Sequence, residues 1–497
     1  MYPVKRGGAN FAAYTRAVRV GLTLIMFVAF LGGLVLPERV EAQGEVSGSR
    51  KNEHIASGVV LASVATSADA RQGYALYLPS GYTAEKKWPI VYAFDPFARG
   101  ETAVELFRDG AEQYGYIVAG SNNSRNGSWK DEAKAAEAMF RDTQERFSVD
   151  ERLIYFGGLS GGARVAAQIA ALCKCAAGVF LNGAGFDSGT AATDGQAFAV
   201  FATTGTEDFN YPEVVQMDEK LAAAYPHWLR IYDGPHQWAP KEVASEALEW
   251  FRVVATGRNF VPRDEEFLKA AAKREEERAE ALARGTDLFA AWREYRQAAS
   301  TFGGLHVGAA FEARAAELGA NKAVREGMKR EKRDFEEQER LSGAISSGLA
   351  QLGQAPPGSR ETMDEVREEI RSLRERTARE KQAGKHRVYV RALTGIFVQA
   401  MEAGNGRQTA KDYGLAGDYY ELAAEAEPES GWALRSLAAA RAQTGDRKAA
   451  FAALRKAKQA AKDQAAFAQW LEEEPAFEKL RRTTEFGELS GAATSQH

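Results

Sequence analysis

The sequence predicts an α/β domain built on a mostly parallel sheet, followed by an all-α region. From about Gly58 to Phe251, short β-rich runs alternate with helical stretches, the pattern left by strands joined through crossover helices. After about Gly257 the texture turns to Ala, Glu, Arg and Lys at helical spacing, and β-rich runs nearly vanish. A third observation concerns chemistry. In "LIYFGGLSGGARVAA", Leu153 to Ala167, one serine stands between glycines where a β-rich run meets an alanine-rich one.

At the start of the chain, Lys5, Arg6, Arg16 and Arg19 precede an apolar run from Val20 to Leu36, and Val40-Glu41-Ala42 offers small residues for cleavage before Gln43. Residues 1–42 therefore read as a secretory signal peptide, which predicts an exported, periplasmic or secreted protein. The run is also close to the length of a membrane span, so the alternative is an uncleaved N-terminal anchor, the one route by which this chain would meet a membrane.

Strands are expected at Gly73 to Tyr82, Pro89 to Pro96, Gly115 to Gly120, Leu153 to Phe156, Gly178 to Leu181, Ala197 to Thr204 and Trp228 to Gly234. Helices fit at Lys130 to Phe147, Ala163 to Leu172, Glu213 to Ala224 and Lys241 to Val254. The expected α/β domain covers 43–257. Cys173 and Cys175, the only cysteines, are too close in sequence to close a useful loop, and are expected as small buried residues where a helix ends and a strand begins.

The helical remainder divides at "GQAPPGS", Gly353 to Ser359, because consecutive prolines oppose helix continuation. This gives a helical region over 258–355 and a second over 360–497. In the latter, Gly431 to Lys458 reads as two helices joined at Gly445-Asp446, with Ala450, Leu454 and Ala457 on one face of the second. That stretch resembles a tetratricopeptide repeat. A weaker copy runs from Val388 through a Gly404-Asn405-Gly406 turn to Pro428. The resemblance implies a protein partner for the helical repeats.

With 497 residues, 27% of them charged, and a net charge of only −4, the chain has no basic footprint for nucleic acid. No phosphate-binding glycine loop or metal-ligand cluster is legible, so no cofactor and no metal are expected. The chemistry then rests on Gly158-Leu159-Ser160-Gly161-Gly162, a G-x-S-x-G pattern. A tight strand-to-helix turn would hold Ser160 in strained geometry while the glycines relieve crowding. A serine hydroxyl needs a base. Of six histidines, His236 in "DGPHQW" is the one that follows the last expected strand in a Gly/Pro loop. The base needs an acid to orient it, and Asp208 in "TTGTEDFNYP" follows the preceding strand. Glu207 and Asp218 are the nearby alternatives.

The order Ser160, Asp208, His236 resembles the α/β-hydrolase superfamily, and within it compact esterases of the dienelactone-hydrolase, feruloyl-esterase and polyhydroxybutyrate-depolymerase type. The likeness covers roughly residues 58 to 255. It implies hydrolysis of a small-molecule carboxylic ester through an acyl-enzyme, with Gly161 N–H in the oxyanion hole. Such enzymes often carry a His-Gly pair for the second oxyanion donor. Here Phe94-Asp95-Pro96-Phe97 stands in its place, and Phe97 N–H is the expected substitute. The alternative function is a catalytically silent scaffold that acts as an interaction module. Because the whole triad falls before Gly257, a chain ending there is expected to keep activity on small esters.

Overall fold

The computed structural model describes residues 55–186, 198–221, 225–304, 308–354 and 360–491. Residues 1–42, expected as a signal peptide, and the prolines at 356–357 lie outside them, as do His54, His306 and His497. Residues 56–497 form one compact unit.

The β-rich runs become eight strands: β1 (Val60–Ala65), β2 (Gly73–Tyr77), β3 (Trp88–Phe94), β4 (Ile117–Ser121), β5 (Val149–Leu159), β6 (Ala176–Asn182), β7 (Ala199–Gly205) and β8 (His227–Tyr232). They lie in one sheet in the order β1-β2-β4-β3-β5-β6-β7-β8. β2 runs antiparallel to β1 and β4, and every pair from β4 to β8 is parallel. That order, with its antiparallel lip and parallel remainder, is the mostly parallel sheet expected from the sequence. β1 has no counterpart among the expected strands: it is a half-exposed edge strand of small residues, so it lacks the continuous apolar run that marks the central strands.

Crossover helices cover both faces: α1 (Gly100–Tyr114), α2 (Trp129–Arg146), α3 (Gly161–Cys173), α4 (Tyr211–Leu221) and α5 (Lys241–Gly257). Parallel strands all end at one edge of the sheet, so the loops after β3, β5, β7 and β8 converge there.

At the end of α3 one expectation is corrected. Cys173 and Cys175 are joined by a disulfide, and neither is buried. The intervening Lys174 adopts φ 55°, a left-handed turn that brings the two Cα atoms to 5.2 Å. Short spacing alone had argued against the bridge, and the backbone reversal at Lys174 supplies the geometry it needs.

The helical region begins with α6 (Glu265–Arg284), α7 (Leu288–Phe302) and α8 (Gly308–Gly319), then the long α9 (Lys322–Leu352). The change of composition at Gly257 is not a break in the core, since one apolar cluster runs from Phe180, Phe201 and Trp228 of the sheet through Leu268 and Tyr295 to Val324. The free edge of β8 is closed by α7: the Gln297 side chain accepts from the Leu229 N–H and donates to the Leu229 carbonyl at 3.2 Å. Beside it the buried Arg230 meets Glu246 of α5 at 2.9 Å, Glu275 of α6 at 3.0 Å and Glu294 of α7 at 2.6 Å. Burial opposes a charged guanidinium, and the three carboxylates around it outweigh that cost. A half-broken version of this cluster would leave uncompensated charge in the interior, so it fixes how these helices sit on the sheet.

The rest of the helices are α10 (Arg360–Arg379), α11 (Ala383–Thr409), α12 (Tyr413–Ala426), α13 (Gly431–Gln443), α14 (Arg447–Ala460), α15 (Gln464–Glu473) and α16 (Thr484–Ser490). The hairpin expected at Gly431 to Lys458 is present as α13 and α14, with Gly445 at φ 81° and Asp446 capping the second helix. The turn expected at Gly404-Asn405-Gly406 is absent, because α11 continues through it to Thr409. Gly404 has a packing role instead. A Cβ there would come within 2.7 Å of the Tyr420 ring, so the glycine lets α12 approach closely, and the Tyr420 hydroxyl reaches Asn405 Oδ1 at 2.8 Å.

Candidate active site

Ser160 lies between β5 and α3 with φ 55° and ψ −121°. Few non-glycine residues tolerate that conformation, which stores strain at the turn. The glycines around it are required by contact: a Cβ on Gly162 would come within 2.6 Å of the Phe94 carbonyl carbon, and one on Gly158 within 2.5 Å of the Ala163 nitrogen. The Ser160 N–H donates to the Asn182 carbonyl at 2.8 Å, pinning the turn to the end of β6. As the first residue of α3, Gly161 has no helical partner for its N–H, which leaves a donor beside the serine.

Asp208 follows β7 and is fully buried, and its Oδ1 meets His236 Nδ1 at 2.8 Å. The same oxygen accepts from the Asn210 N–H at 2.8 Å. Beneath the pair lies Gly183, φ 62°, where a Cβ would stand 2.7 Å from Asp208 Oδ2 and 3.0 Å from the imidazole. Phe209 packs on the other side, its ring centroid 4.3 Å from that of His236. Of the alternative acids, Asp218 is bound to His227 at 2.5 Å within the core, away from this cluster.

Three residues hold the histidine loop. Buried Asn182 accepts from the Ala239 N–H at 2.7 Å and donates to the Gln237 carbonyl at 3.2 Å. The Tyr232 hydroxyl donates to the same carbonyl at 2.7 Å. Trp238 Nε1 donates to Asp95 Oδ2 at 2.8 Å, tying the loop to the end of β3. A single amide closing the apolar β6 run was the legible sign of Asn182.

The segment after β3 folds inward on Asp95. Its Oδ1 accepts from the Phe97 N–H at 2.8 Å, and its carboxylate also pairs with Arg99 at 2.9 Å. The Phe97 N–H is thus engaged inside its own loop, and Pro96 has none to give. Trp129 opens α2, and Arg125 and Asn126 of the loop before it reach the site.

Ser160 and His236 open on a cavity of about 1140 Å³. One wall is made by the sheet's loops, with Phe97, Asn126, Phe209 and Trp238. The opposite wall is helical: Thr394, Phe397, Val398, Glu402 and Asn405 from one face of α11, Glu427 after α12, and Trp432 in the first turn of α13. Trp432 bridges the two walls, edge-on to Phe97 and to Phe397, each at a centroid distance of 6.0 Å. The helices also grip the acid loop from behind. Gln338 of α9 donates to the Phe209 carbonyl at 2.8 Å, Tyr211 donates to Glu331 at 2.9 Å, and buried Arg391 of α11 lies over the Tyr211 ring at 4.6 Å. A chain ending at 257 would hold Ser160, Asp208 and His236 but lack this wall and these supports.

No family model matches the chain, and no curated protein matches it either. Among solved structures it is similar to a hyperthermophilic esterase from the archaeon Pyrobaculum calidifontis, at 13% identity over 40% of this chain and 87% of that one, with a TM-score of 0.32. It is also similar to a ferulic acid esterase, at 17% identity over 38% and 94% of the two chains (TM-score 0.31), and to an S-formylglutathione hydrolase from Agrobacterium tumefaciens, at 16% over 36% and 88% (TM-score 0.29).

Proposed function

We propose that this chain is a serine hydrolase of small carboxylic esters, with Ser160 as nucleophile, His236 as base and Asp208 as the acid that orients it. The observation that carries the reading is a serine in strained strand-to-helix geometry opening on the same cavity as a histidine whose far nitrogen is held by a buried carboxylate. In the first half-reaction Ser160 Oγ bonds to the ester carbonyl carbon while its proton passes to His236 Nε2. Asp208, held at Nδ1, fixes the tautomer and stabilises the imidazolium. The carbonyl electron pair moves onto oxygen, facing the Gly161 N–H. Collapse expels the alkoxide, which takes the proton from His236. Water then repeats the sequence on the acyl-enzyme and frees Ser160.

A panel of p-nitrophenyl esters of increasing acyl length tests this. The full-length protein should hydrolyse at least the short members, and Ser160→Ala should abolish turnover. An inert natural protein would leave the silent-scaffold reading standing. Export follows from the 1–42 segment, and a mature N-terminus at Gln43 on the exported protein would establish it.

A further inference from the structure

We propose that the side-chain amide of Asn126 is the second oxyanion donor, acting with the Gly161 N–H. The assignment rests on the serine-hydrolase reading above. It starts from a deficit: developing charge on the carbonyl oxygen calls for more than one preorganised donor. Residues 96–99, after β3, offer none. Pro96 lacks an N–H, Phe97 donates to Asp95 Oδ1 at 2.8 Å, Ala98 donates to the Asp95 carbonyl at 3.0 Å, and Arg99 donates to Asp95 Oδ1 at 3.4 Å.

Asn126 fills that deficit. It lines the cavity with Ser160, and its amide stands directly over Gly161. A Cβ built on Gly161 would overlap Asn126 Oδ1 and lie 2.8 Å from its Cγ and 3.2 Å from its Nδ2. Gly161 does not need to be glycine for its backbone angles, since its φ is not among the positive ones. It needs to be glycine to leave room for this amide. Among the described residues the Asn126 side chain has no hydrogen-bond partner, so its N–H groups are available.

Its backbone, in contrast, is well held. The Asn126 N–H donates to the Pro96 carbonyl at 2.9 Å, Arg125 forms a bridge with Phe97, and Ser121 Oγ accepts from the Asn123 and Ser124 N–H groups at 3.3 and 3.0 Å. The amide therefore sits on a fixed stem with a free head. Turning the head by half a rotation exchanges Oδ1 and Nδ2 in place, and an oxyanion selects the nitrogen. When Ser160 Oγ bonds to carbon and the carbonyl pair moves onto oxygen, Nδ2–H and Gly161 N–H both donate to it. Neither proton transfers, and both contacts relax when the alkoxide leaves.

The test is kinetic and uses the full-length protein. Asn126→Ala should lower kcat on p-nitrophenyl acetate by about 10²-fold with KM changed by less than about 3-fold, the mark of a contact made in the transition state. Affinity for a trifluoromethyl ketone, which forms a tetrahedral adduct, should weaken by the same factor, while affinity for the matching methyl ketone stays unchanged. The side chain is exposed to the cavity, so the thermal transition should not move.

A second variant probes the contact itself. Gly161→Ala should cost activity in the natural protein by displacing the amide, but little more in the Asn126→Ala background. An Asn126→Ala enzyme with normal kcat, a loss confined to KM, or a Gly161→Ala penalty equal in both backgrounds would overturn the assignment. If the natural protein hydrolyses no ester at all, the serine-hydrolase reading fails and this one with it. If it is active and Asn126→Ala is equally active, only the Asn126 assignment is lost.

Discussion

The two walls of the cavity are built by opposite means. On the sheet side, position comes from constrained backbone: Ser160 at φ 55°, Gly183 at φ 62° beneath Asp208 and His236, and loops stitched together by Asn182 and Asp95. On the helical side, Thr394, Phe397, Val398, Glu402 and Asn405 are ordinary positions on one face of a regular helix. The first wall can place atoms for bond-making; the second presents shape. The proposed reaction centre and the helical surface that faces it thus lie more than 150 residues apart in sequence and still share one cavity.

If this division is right, damage on the two sides should differ in kind as well as size. The largest effect is expected from His236→Ala, which should lower kcat by on the order of 10³-fold or more on every ester while leaving the thermal transition in place. Next, Trp432→Ala and Phe397→Ala should each lower kcat/KM for bulky or long-chain esters by about 10-fold, since an aromatic wall is worth about 1–3 kcal/mol to the group it covers. Both should leave p-nitrophenyl acetate within about 2-fold. A Trp432→Ala enzyme as slow on acetate as His236→Ala would break the comparison, because the helical wall would then belong to the reaction centre.

The smallest expected effect is electrostatic and confined to the sheet side. Glu132, in the first turn of α2, has its carboxyl pushed up to about 7 from the usual 4.5 by burial, with the Gly127 N–H beside it partly offsetting this. The folded state therefore holds this proton more tightly than the unfolded one, and stability should fall as pH rises from about 4.5 through about 7. Glu132→Gln removes that dependence. The variant and natural protein should melt together at pH 4.5, and the variant should be higher by on the order of 1–2 °C at pH 8, a modest figure because the group is half-exposed. A constant offset across that range would show that the carboxyl does not titrate there.

The same contrast explains what could be read from the sequence. The strained serine turn was legible because its geometry demands glycine at Gly158 and Gly162, and the Ser160, Asp208, His236 order was legible because each closes a strand of the same parallel sheet. Asn126 carried no such mark, being one of several polar residues in a loop. The helical wall carried none either: Phe397 and Trp432 look like core residues of a helical array until they are seen lining the same cavity as Ser160 and His236. Gly404 misled because a helix-interior glycine looks the same in sequence whether it ends a helix or admits a tyrosine ring. The Cys173–Cys175 bridge escaped because nothing in the composition of "LCKC" announces the left-handed turn at Lys174.

Ser160, the proposed base-activated nucleophile, opens on a cavity lined by both regions. Reaction of the full-length protein with a fluorophosphonate, followed by intact-mass and peptide mapping, tests that role most directly. One adduct per chain is expected, located on Ser160, formed rapidly in the natural protein, slowed strongly in His236→Ala and absent in Ser160→Ala. No adduct, or one on another residue, would contradict it.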